Sequence, residues 1–260
     1  MVGVLTFVAL FLDMAMDGVG RLSWDFFTNY PSRRPGQAGI LSAWVGSTLV
    51  MLTTAFFAVP LGVAAGVYLE EYAPKNWVTD LIEINITNLA GVPSIVYGLL
   101  ALGLFVYQFG FGQSILSAGL TLALLILPVV IVATREAIRS IPQVIREGSY
   151  ALGATQWQVV SRQVLPAAIP GIATGSILAL ARAIGETAPL ILIGAVTYIS
   201  FDPTILGPFT ALPIQIYSFL RLPQEEFKLL AAASIIVLLA ILLTLNAFAI
   251  YIRNRYRRTW

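Results

Sequence analysis

Long apolar runs alternate with short polar or proline-bearing stretches along the chain. Five of the runs are long enough to carry an α-helix across about 30 Å of hydrocarbon, because a helix rises about 1.5 Å per residue. They cover residues 41–69, 85–109, 114–134, 171–199 and 229–252. None of them has the alternation of apolar and polar residues that is typical of a membrane β-barrel strand. The pattern therefore predicts an all-α integral membrane protein.

A further apolar run, "MVGVLTFVALFL", begins the chain and covers only residues 1–12. A transmembrane helix needs about 20 residues. The run has neither the basic start nor the small-residue cleavage site of a signal peptide. We expect it to be the end of a shortened first transmembrane helix, or a helix that continues through Met16 despite Asp13. The expected number of transmembrane helices is then about six.

The composition agrees with a chain that lies mostly in lipid. Hydrophobic residues make up 58% of it and charged residues 11%, with a mean hydropathy of +0.86, whereas a soluble domain has about a quarter of its residues charged. The net charge of +2 is small and scattered, so no nucleic-acid partner is expected. The chain has no cysteine and no histidine, which excludes disulfide bonds, the usual Cys and His metal sites and histidine as a proton relay.

Basic residues near the helix ends set the expected orientation, since they are enriched on the cytoplasmic side. With six helices and both termini inside, nine of the 15 lysines and arginines lie inside, five lie outside and Arg182 lies in the membrane. The inner nine are Lys75, Arg135, Arg139, Arg146, Arg162, Arg253, Arg255, Arg257 and Arg258; the outer five are Arg21, Arg33, Arg34, Arg221 and Lys228. This bias predicts a cytoplasmic C-terminus.

The same orientation divides the chain into three parts. Residues 1–40 hold the short first helix and an external loop, residues 41–252 form the transmembrane domain, and residues 253–260 ("RNRYRRTW") form a basic cytoplasmic tail. A second external stretch, residues 200–227, has four prolines and is expected to be rigid and non-helical. Glu70 and Glu71 end the second helix on the cytoplasmic side, where we expect water to solvate them.

The longest cytoplasmic stretch, residues 135–168, has the pattern of a helix–glycine–helix element over residues 143–164. Pro142 can open the first helix, where its missing N–H is harmless, and Gly153 suits a left-handed helix C-cap. The second helix runs from about Thr155 to Val164. Apolar residues fall near helical spacing in both helices: Val144, Ile145, Tyr150, Ala151 and Leu152 in the first, and Trp157, Val160 and Val164 on one side of the second.

Pro166 and Pro170 are expected to interrupt the chain between this element and the next transmembrane helix. The element itself has an apolar face on the water side of the membrane, and such a face needs a partner. It could pack against its own transmembrane helices or the lipid surface, or it could enter a groove of a separate cytoplasmic protein. The residue pattern leaves both possibilities open.

A pair of charges interrupts the apolar run 171–199, in the stretch "ARAIGETAPL" at residues 181–190. An ionised side chain near the middle of a bilayer costs ~2.5–3.5 kcal/mol on insertion scales. Arg182 and Glu186 are four residues apart, so in a helix they share a face and can pair. Gly185 lets another backbone or a substrate approach, and Pro189 deprives the Gly185 carbonyl of its helical partner, which predicts a kink.

Two interpretations of this charge pair remain open. It could be a structural pair that joins helices, or it could be a polar point on a translocation path. Arginine suits oxyanions because its planar guanidinium donates two parallel hydrogen bonds. Glu186 could hold Arg182 in place, or accept a hydrogen bond from phosphate, which carries a proton at neutral pH while sulfate carries none.

The stretch "AGVPSIVYG" at residues 90–98 interrupts another predicted helix with Gly91, Pro93 and Gly98. A broken helix at Pro93 can expose backbone groups to a pathway. The same small residues can equally form a packing kink where two helices meet.

The helix–glycine–helix element resembles the EAA loop of ABC-importer permeases. "EGSYALG" (147–153), nine further residues and "QVLP" (163–166) match the family pattern at Glu147, Gly153, Leu165 and Pro166, while Gly148 and Ser149 replace two alanines and Gln163 replaces an isoleucine. The resemblance implies that the short helix docks into a groove of a cytoplasmic ATPase. Glu147, Gly148, Gly153 and Ala154 would then form the coupling element, and Leu165 and Pro166 would hold the return to the membrane. The chain has no G-x-x-x-x-G-K-[ST] motif, so ATP hydrolysis is expected from another polypeptide.

"ARAIGETAPL", together with "EINITNLAGVPSIVYGLLALGLFV" (83–106), is similar to the A-type permease subunits of Pst phosphate importers, over about residues 40–252. The resemblance implies an inner-membrane permease subunit that passes inorganic phosphate. It places Arg182 and Glu186 on the substrate pathway, with Thr187 beside them. Arg135 is a weaker candidate, for which a positive-inside anchor is the alternative interpretation.

The resemblance also implies the partners: a homologous second permease subunit, a dimeric ABC ATPase, an extracytoplasmic phosphate-binding protein and the lipid bilayer. ATP and Mg would bind at the ATPase, with no cofactor bound by this chain and no covalent chemistry performed by it. Three rival functions stay open. They are a permease for another oxyanion such as molybdate or sulfate, an ion-coupled secondary transporter with Glu186 as proton carrier, and a membrane scaffold that transports nothing.

Overall fold

The structure, a computed structural model, describes residues 2–196, 198–201 and 203–256. Residues 257–260, half of the predicted basic tail, lie outside the described residues. The helices, in chain order, are α1 (Val2–Gly18), α2 (Trp24–Thr28), α3 (Leu41–Val67), α4 (Trp77–Ala90), α5 (Ser94–Ala101), α6 (Ile115–Arg139), α7 (Gln143–Ala151), α8 (Gln156–Val159), α9 (Leu165–Ile184), α10 (Ala188–Ile193), α11 (Leu212–Leu220) and α12 (Glu225–Tyr256). Wide helical turns extend α3 to Tyr72 and α5 to Gln108, and join α8 to α9.

Among the described residues, four helical stretches are long and apolar enough to cross a membrane: Leu41–Tyr72, Ile115–Arg139, Gln156–Ile184 and Glu225–Arg255. Trp77–Ala90 and Ser94–Gln108 form a bent pair that makes a fifth span if both halves cross together. α1 has 17 residues, fewer than the roughly 20 of a full span. The predicted all-α membrane architecture is confirmed.

The predicted span 171–199 is wrong at both ends. The continuous helix begins at Gln156 and ends at Ile184, so Pro166 and Pro170 lie within it instead of interrupting it. Buried side chains on this segment pack into one apolar cluster, and that packing outweighs the low helix propensity of proline. The cluster includes Val159, Val164, Ala168 and Ile172.

The proline-rich stretch 200–227 is not wholly non-helical, which corrects that prediction. α11 lies inside it, and Pro213 falls in the first turn of α11. An N–H in the first turn has no partner within the helix, so proline loses no hydrogen bond there. The helix is mostly buried. Its first N–H, from Leu212, donates to the hydroxyl of Ser47 at 2.8 Å.

The described residues form two compact units. The first is drawn from residues 1–53, 94–121 and 184–243, and the second from residues 54–93, 122–183 and 244–260. The first unit has an aromatic core, in which the rings of Phe219 and Phe227 lie 5.8 Å apart and are buried with Phe26. Ser42 of α3 donates to the carbonyl of Ile199 at 3.1 Å, which fastens the loop after α10 to this unit.

In the second unit, α6 contacts both α3 and α9 through small residues spaced four apart. A Cβ added to Gly66 would lie 2.7 Å from the Thr134 Cβ, and one added to Gly171 would lie 2.7 Å from the Ala137 Cβ. Small residues at this spacing let helices approach closely in a membrane. The four contacts pair Gly62 with Val130, Gly66 with Thr134, Gly171 with Ala137 and Gly175 with Ala133. This packing brings the end of α6 next to the end of α3.

Candidate functional site

The first helix of the helix–glycine–helix element is α7, and it ends at a glycine cap. Gly153 has φ +82°, its N–H donates to the Tyr150 carbonyl at 2.9 Å, and the N–H of Ala154 donates to the Ser149 carbonyl at 3.1 Å. This pair of bonds is a Schellman motif, which favours glycine because the residue is left-handed. The predicted left-handed C-cap at Gly153 is confirmed.

α8 starts with a capping box, as the predicted start near Thr155 requires. The N–H of Thr155 donates to the Gln158 side chain at 2.9 Å, and the N–H of Gln158 donates to the Thr155 hydroxyl at 3.4 Å. Trp157 is 69% exposed, whereas Val160 and Val164 are buried. The prediction that these three side chains share one side is therefore wrong, because the valines belong to the apolar cluster beneath α8.

Large apolar side chains project from the outer surface of this element. Val144 is 74% exposed and Leu152 is 90% exposed, while Ala154 and Leu165 pack into the cluster underneath. Glu147, Gly148 and Pro166 are also exposed. A cleft of about 300 Å³ lies between the two helices, and it is lined by residues that include Ser149, Leu152, Gly153 and Arg162. The element thus has an apolar outer surface on two short helices, α7 with a glycine C-cap and α8 with a capping box.

The end of α3 carries two acidic residues that are not solvated, contrary to the prediction. Glu70 accepts from Arg135 Nε at 3.2 Å and from Arg139 Nε at 2.9 Å. Glu71 accepts from Arg146 at 2.9 Å, and the Glu71 side chain is 8% exposed. Neighbouring helical side chains point about 100° apart, so these two carboxylates reach different partners.

Arg135 lies in the last turns of α6 and is 7% exposed. Its guanidinium pairs with Glu70 and also with Glu83 of α4. A positive-inside anchor would lie at the lipid–water surface, whereas Arg135 is held between two carboxylates. A cavity of about 350 Å³ borders this group, and its lining includes Glu83, Asn88, Arg135 and Glu136.

Arg182 and Glu186 do not share a continuous helix. α9 ends at Ile184, so Arg182 is an exposed side chain in the last turn of α9, and Glu186 is half-buried in the connection to α10. Arg182 belongs to the second compact unit and Glu186 to the first. The expectation that the two residues share one helical face is therefore wrong, because the helix stops between them.

Pro189 begins a new helix where a kink was expected. It lies in the first turn of α10, where proline needs no N–H partner. Thr187 precedes this helix, and its carbonyl accepts from the N–H of Ile191 at 3.1 Å. The carbonyl of Gly185 accepts from the Thr187 hydroxyl at 3.4 Å. The helix is thus interrupted between Gly185 and Thr187.

The stretch 90–98 combines both features that the sequence left open. α4 and α5 are separate helices, with the break falling at Gly91–Pro93. Further along, a Cβ added to Gly98 would lie 2.8 Å from the Pro189 Cα. Gly98 therefore lets α5 and α10 meet backbone to backbone within the first unit.

Sequence reasoning missed most of the charge cluster at the end of α3. The missed partners are Glu70, Glu71, Glu83, Arg139 and Arg146. One signal was available, because Arg135 and Arg139 are four residues apart and so lie on one helical face. The sequence does not say which carboxylates meet that face, since Glu70 lies 65 residues from Arg135.

Comparison with known proteins decides the family. Residues 58–258 match the family described as binding-protein-dependent transport system inner membrane component. The chain belongs to this family. It is therefore a membrane-embedded permease component of an ABC transporter, a class whose importers work with a partner permease, an ATPase and a binding protein.

Individual proteins similar to this permease include phosphate transport permeases. It is 39% identical over 203 residues to the probable ABC transporter permease protein YqgI of Bacillus subtilis, covering 78% of this chain and 69% of that protein. It is 38% identical over 216 residues to the phosphate transport system permease protein PstA 1 of Mycobacterium tuberculosis (strain CDC 1551 / Oshkosh), covering 83% and 70%. It is 32% identical over 252 residues to the phosphate transport system permease protein PstA of Yersinia pestis, covering 95% and 83%.

A solved structure supports the fold of this permease. A chain of the MetNI methionine ABC transporter, in an inward-facing conformation, superposes with a TM-score of 0.67 at 18% identity, covering 82% of this chain and 94% of that chain. At this identity the likeness concerns the fold alone.

Proposed function

We propose that this permease is the transmembrane subunit of an ATP-driven inorganic phosphate importer. It forms half of the translocation pathway, beside a homologous second permease subunit, and couples to a separate dimeric ATPase. The observation that carries the phosphate assignment is the 38% and 32% identity to two phosphate transport permeases, over 216 and 252 residues. That similarity covers the helices that hold all the proposed site residues.

The helix–glycine–helix element is the proposed contact with the ATPase. Its exposed apolar side chains, Val144, Leu152 and Trp157, suit a groove that receives a short helix. Glu147, Gly148, Gly153 and Ala154 form the frame of this contact, and Leu165 with Pro166 carries the chain back to the membrane. ATP and Mg²⁺ bind at the ATPase, and this permease binds no cofactor.

Arg182 is the proposed principal contact with phosphate. It is exposed on this subunit, at the end of α9, so its guanidinium can face the second permease subunit and the substrate. Its planar fork donates two parallel hydrogen bonds to an oxyanion. Arg135 is the weaker member of the proposed pathway, because Glu70 and Glu83 already occupy its guanidinium.

Glu186 and Thr187 are proposed to contribute in the break between α9 and α10. The Glu186 carboxylate accepts a hydrogen bond from the protonated oxygen of phosphate, and Thr187 offers a hydroxyl beside it. The helix breaks at Pro93 and between Gly185 and Pro189 supply the room for substrate passage and for movement.

The proposed location is the plasma (inner) membrane, with the helix–glycine–helix element and the C-terminus in the cytoplasm. The excess of basic residues near these segments supports this orientation. The phosphate-binding protein then docks on the outer loops, residues 17–40 and 200–227.

Reconstitution in vesicles tests the proposal. The complex contains this permease, the second permease, the ATPase and the binding protein, and radiolabelled phosphate uptake is measured with and without ATP. We expect uptake to require ATP and the binding protein, and to be blocked by unlabelled phosphate but not by sulfate or molybdate. Uptake without the ATPase would contradict the importer mechanism, and a preference for sulfate or molybdate would contradict the phosphate assignment.

A further inference from the structure

Glu71, near the end of the extended α3, is the point where both helices of the helix–glycine–helix element attach. Its carboxylate accepts from Arg146 of α7, with 3.2 Å to Nε and 2.9 Å to Nη2. Its backbone carbonyl accepts from the Gln156 side chain of α8 at 2.5 Å. One residue of a membrane-spanning helix therefore holds both arms of the element.

Arg146 adds a third attachment at the same point. It donates through Nη1 to the Ile141 carbonyl at 2.9 Å and through Nη2 to the Ile138 carbonyl at 3.0 Å. Ile138 lies in the last turn of α6, where helix carbonyls have no intrahelical partner. The Arg146 side chain is 19% exposed and that of Glu71 is 8% exposed. The pair is thus largely removed from water, where charge-assisted bonds are strong and directional.

The next residue connects these contacts to the rest of the second unit. Glu70 accepts from Arg135 and Arg139 of α6, and Arg135 also pairs with Glu83 of α4. Polar contacts from α6, α7 and α8 therefore converge on two adjacent residues of one wide helical turn, and α4 is joined to them through Arg135. A wide turn often marks a functional site within a helix.

Apolar contacts also join the element to the membrane helices, through Ile145, Ala154 and Leu165 in the buried cluster. Such contacts are non-directional, so they hold the element close without fixing its direction of motion. The Arg146–Glu71 pair does fix the direction of motion, because its hydrogen bonds lose strength when the two side chains rotate or slide past each other.

We infer that Glu71 and Arg146 are positioning residues that tie the motion of the helix–glycine–helix element to the end of α3, and so couple ATP hydrolysis to transport. This inference rests on the proposed function. It concerns the efficiency of coupling, whereas the ATPase contact itself is made by the exposed outer surface of the element.

The test compares Glu71→Gln and Arg146→Met in the reconstituted complex, with ATP hydrolysis and phosphate uptake measured on the same vesicles. We expect the number of phosphates imported per ATP to fall about tenfold in each, within the usual range of coupling effects. ATPase bound per permease should stay unchanged. A merely structural role would instead lower bound ATPase, hydrolysis and uptake together and leave the ratio intact.

The double variant Glu71→Gln/Arg146→Met completes a mutant cycle. Each single change leaves one buried charge without its partner, whereas the double change removes both charges. We expect the double variant to import as many phosphates per ATP as the better single variant, or more, because the two residues act through one contact. Two losses that multiply would overturn the inference.

Asp80→Asn is the matched control, since it removes one acidic charge from an exposed position of the same unit. It should leave the ratio unchanged. If Glu71→Gln fails to assemble, Gln156→Leu removes only the neutral bond to the Glu71 carbonyl from an exposed position, and its ratio should fall about threefold, as expected for one neutral hydrogen bond.

The two failures remain distinguishable. A wild-type complex that imports no phosphate with ATP contradicts the proposed function. A wild-type complex that imports, combined with an unchanged ratio in Glu71→Gln or, where that variant does not assemble, in Gln156→Leu, overturns the inference alone.

Discussion

Arg135 and Arg182 are both arginines in long apolar helices, but their surroundings differ. Arg135 is 7% exposed and paired with Glu70 and Glu83, so much of its bonding capacity is spent within the chain. Arg182 is exposed at the end of α9. Arg135 therefore has an internal role, whereas the proposed role of Arg182 is an outward one, as a contact with phosphate.

Replacing Arg182 tests the outward role. We expect Arg182→Gln to lower phosphate uptake by at least about tenfold, because the loss of a charged hydrogen-bond donor to a bound anion costs roughly 1.5–3 kcal/mol. The melting temperature should stay close to that of the wild type. Arg182→Lys should recover part of the uptake, and Arg253→Gln should behave as wild type. Full uptake by Arg182→Gln would leave Arg182 outside the pathway.

Replacing Arg135 tests the internal role. Arg135→Gln removes the cation that pairs with Glu83 and one of the two cations that pair with Glu70. The loss of one partner from a buried ion pair costs about 3–5 kcal/mol. We expect a clear fall in the free energy of unfolding of the detergent-solubilised protein. Arg139→Gln, whose side chain is 47% exposed, should cost at most about 1 kcal/mol. Equal losses of unfolding free energy in the two variants would contradict this internal role of Arg135.

At the scale of the element, two glycines of the helix–glycine–helix segment have opposite reasons to be there. Gly153 is left-handed at φ +82°, a conformation that other residues adopt at a cost. Gly148 lies within α7, and a Cβ added there would meet nothing within 4 Å. The cap therefore depends on Gly153, while the helix would tolerate a side chain at position 148.

A pair of alanine substitutions checks this difference. Gly153→Ala should destabilise the end of α7 by about 1–2 kcal/mol, whereas Gly148→Ala should stabilise α7 by about 0.5–1 kcal/mol. Amide hydrogen exchange along α7 measures both effects. Equal protection in the two variants would mean that the Schellman cap contributes little.

The outer surface of the same element makes a separate prediction. Leu152 is 90% exposed, so Leu152→Asp should leave folding nearly unchanged. If the ATPase groove receives this side chain, its affinity for the permease should fall by at least about tenfold. Surface-immobilised permease and purified ATPase give that affinity, and Lys75→Gln is the control. Unchanged binding would place the ATPase contact elsewhere.

At the scale of the whole molecule, two compact units have separate cores. The core of the first unit contains buried aromatic side chains. The second unit has an aliphatic cluster, close helix contacts at small residues and a charge cluster. The long helices α3, α6 and α12 each contribute a part to both units. The break after Ile184 coincides with a boundary between units.

Membrane orientation can be tested directly, because the chain has no cysteine. Gly36→Cys and Gly148→Cys are matched, since an added Cβ meets nothing within 4 Å at either position. A membrane-impermeant maleimide should label Gly36→Cys in intact cells. It should label Gly148→Cys and Asn254→Cys only after permeabilisation. Labelling of Gly148→Cys in intact cells would show that the true orientation is the reverse of the proposed one.

The sequence predicted three of the long helices to within a few residues at most ends: 41–69, 114–134 and 229–252 correspond to Leu41–Tyr72, Ile115–Arg139 and Glu225–Arg255. It failed at Pro166, Pro170 and Pro213, where proline was taken as a signal for interruption. Proline stays helical at these positions because tertiary packing or a first-turn position removes its disadvantage.

The sequence by itself determined that this protein is an all-α membrane permease with a capped helix–glycine–helix element and an arginine in an apolar helix. These features follow from hydropathy and from caps that span a few residues. Only the tertiary structure decided that Glu70 and Glu71 pair with arginines and that Arg135 lies between two carboxylates. It also decided that the helix stops between Arg182 and Glu186. The partners in these ion pairs lie 52 to 75 residues apart. Close packing of small residues brings them together, and a small residue carries no local signal of which residue it will contact.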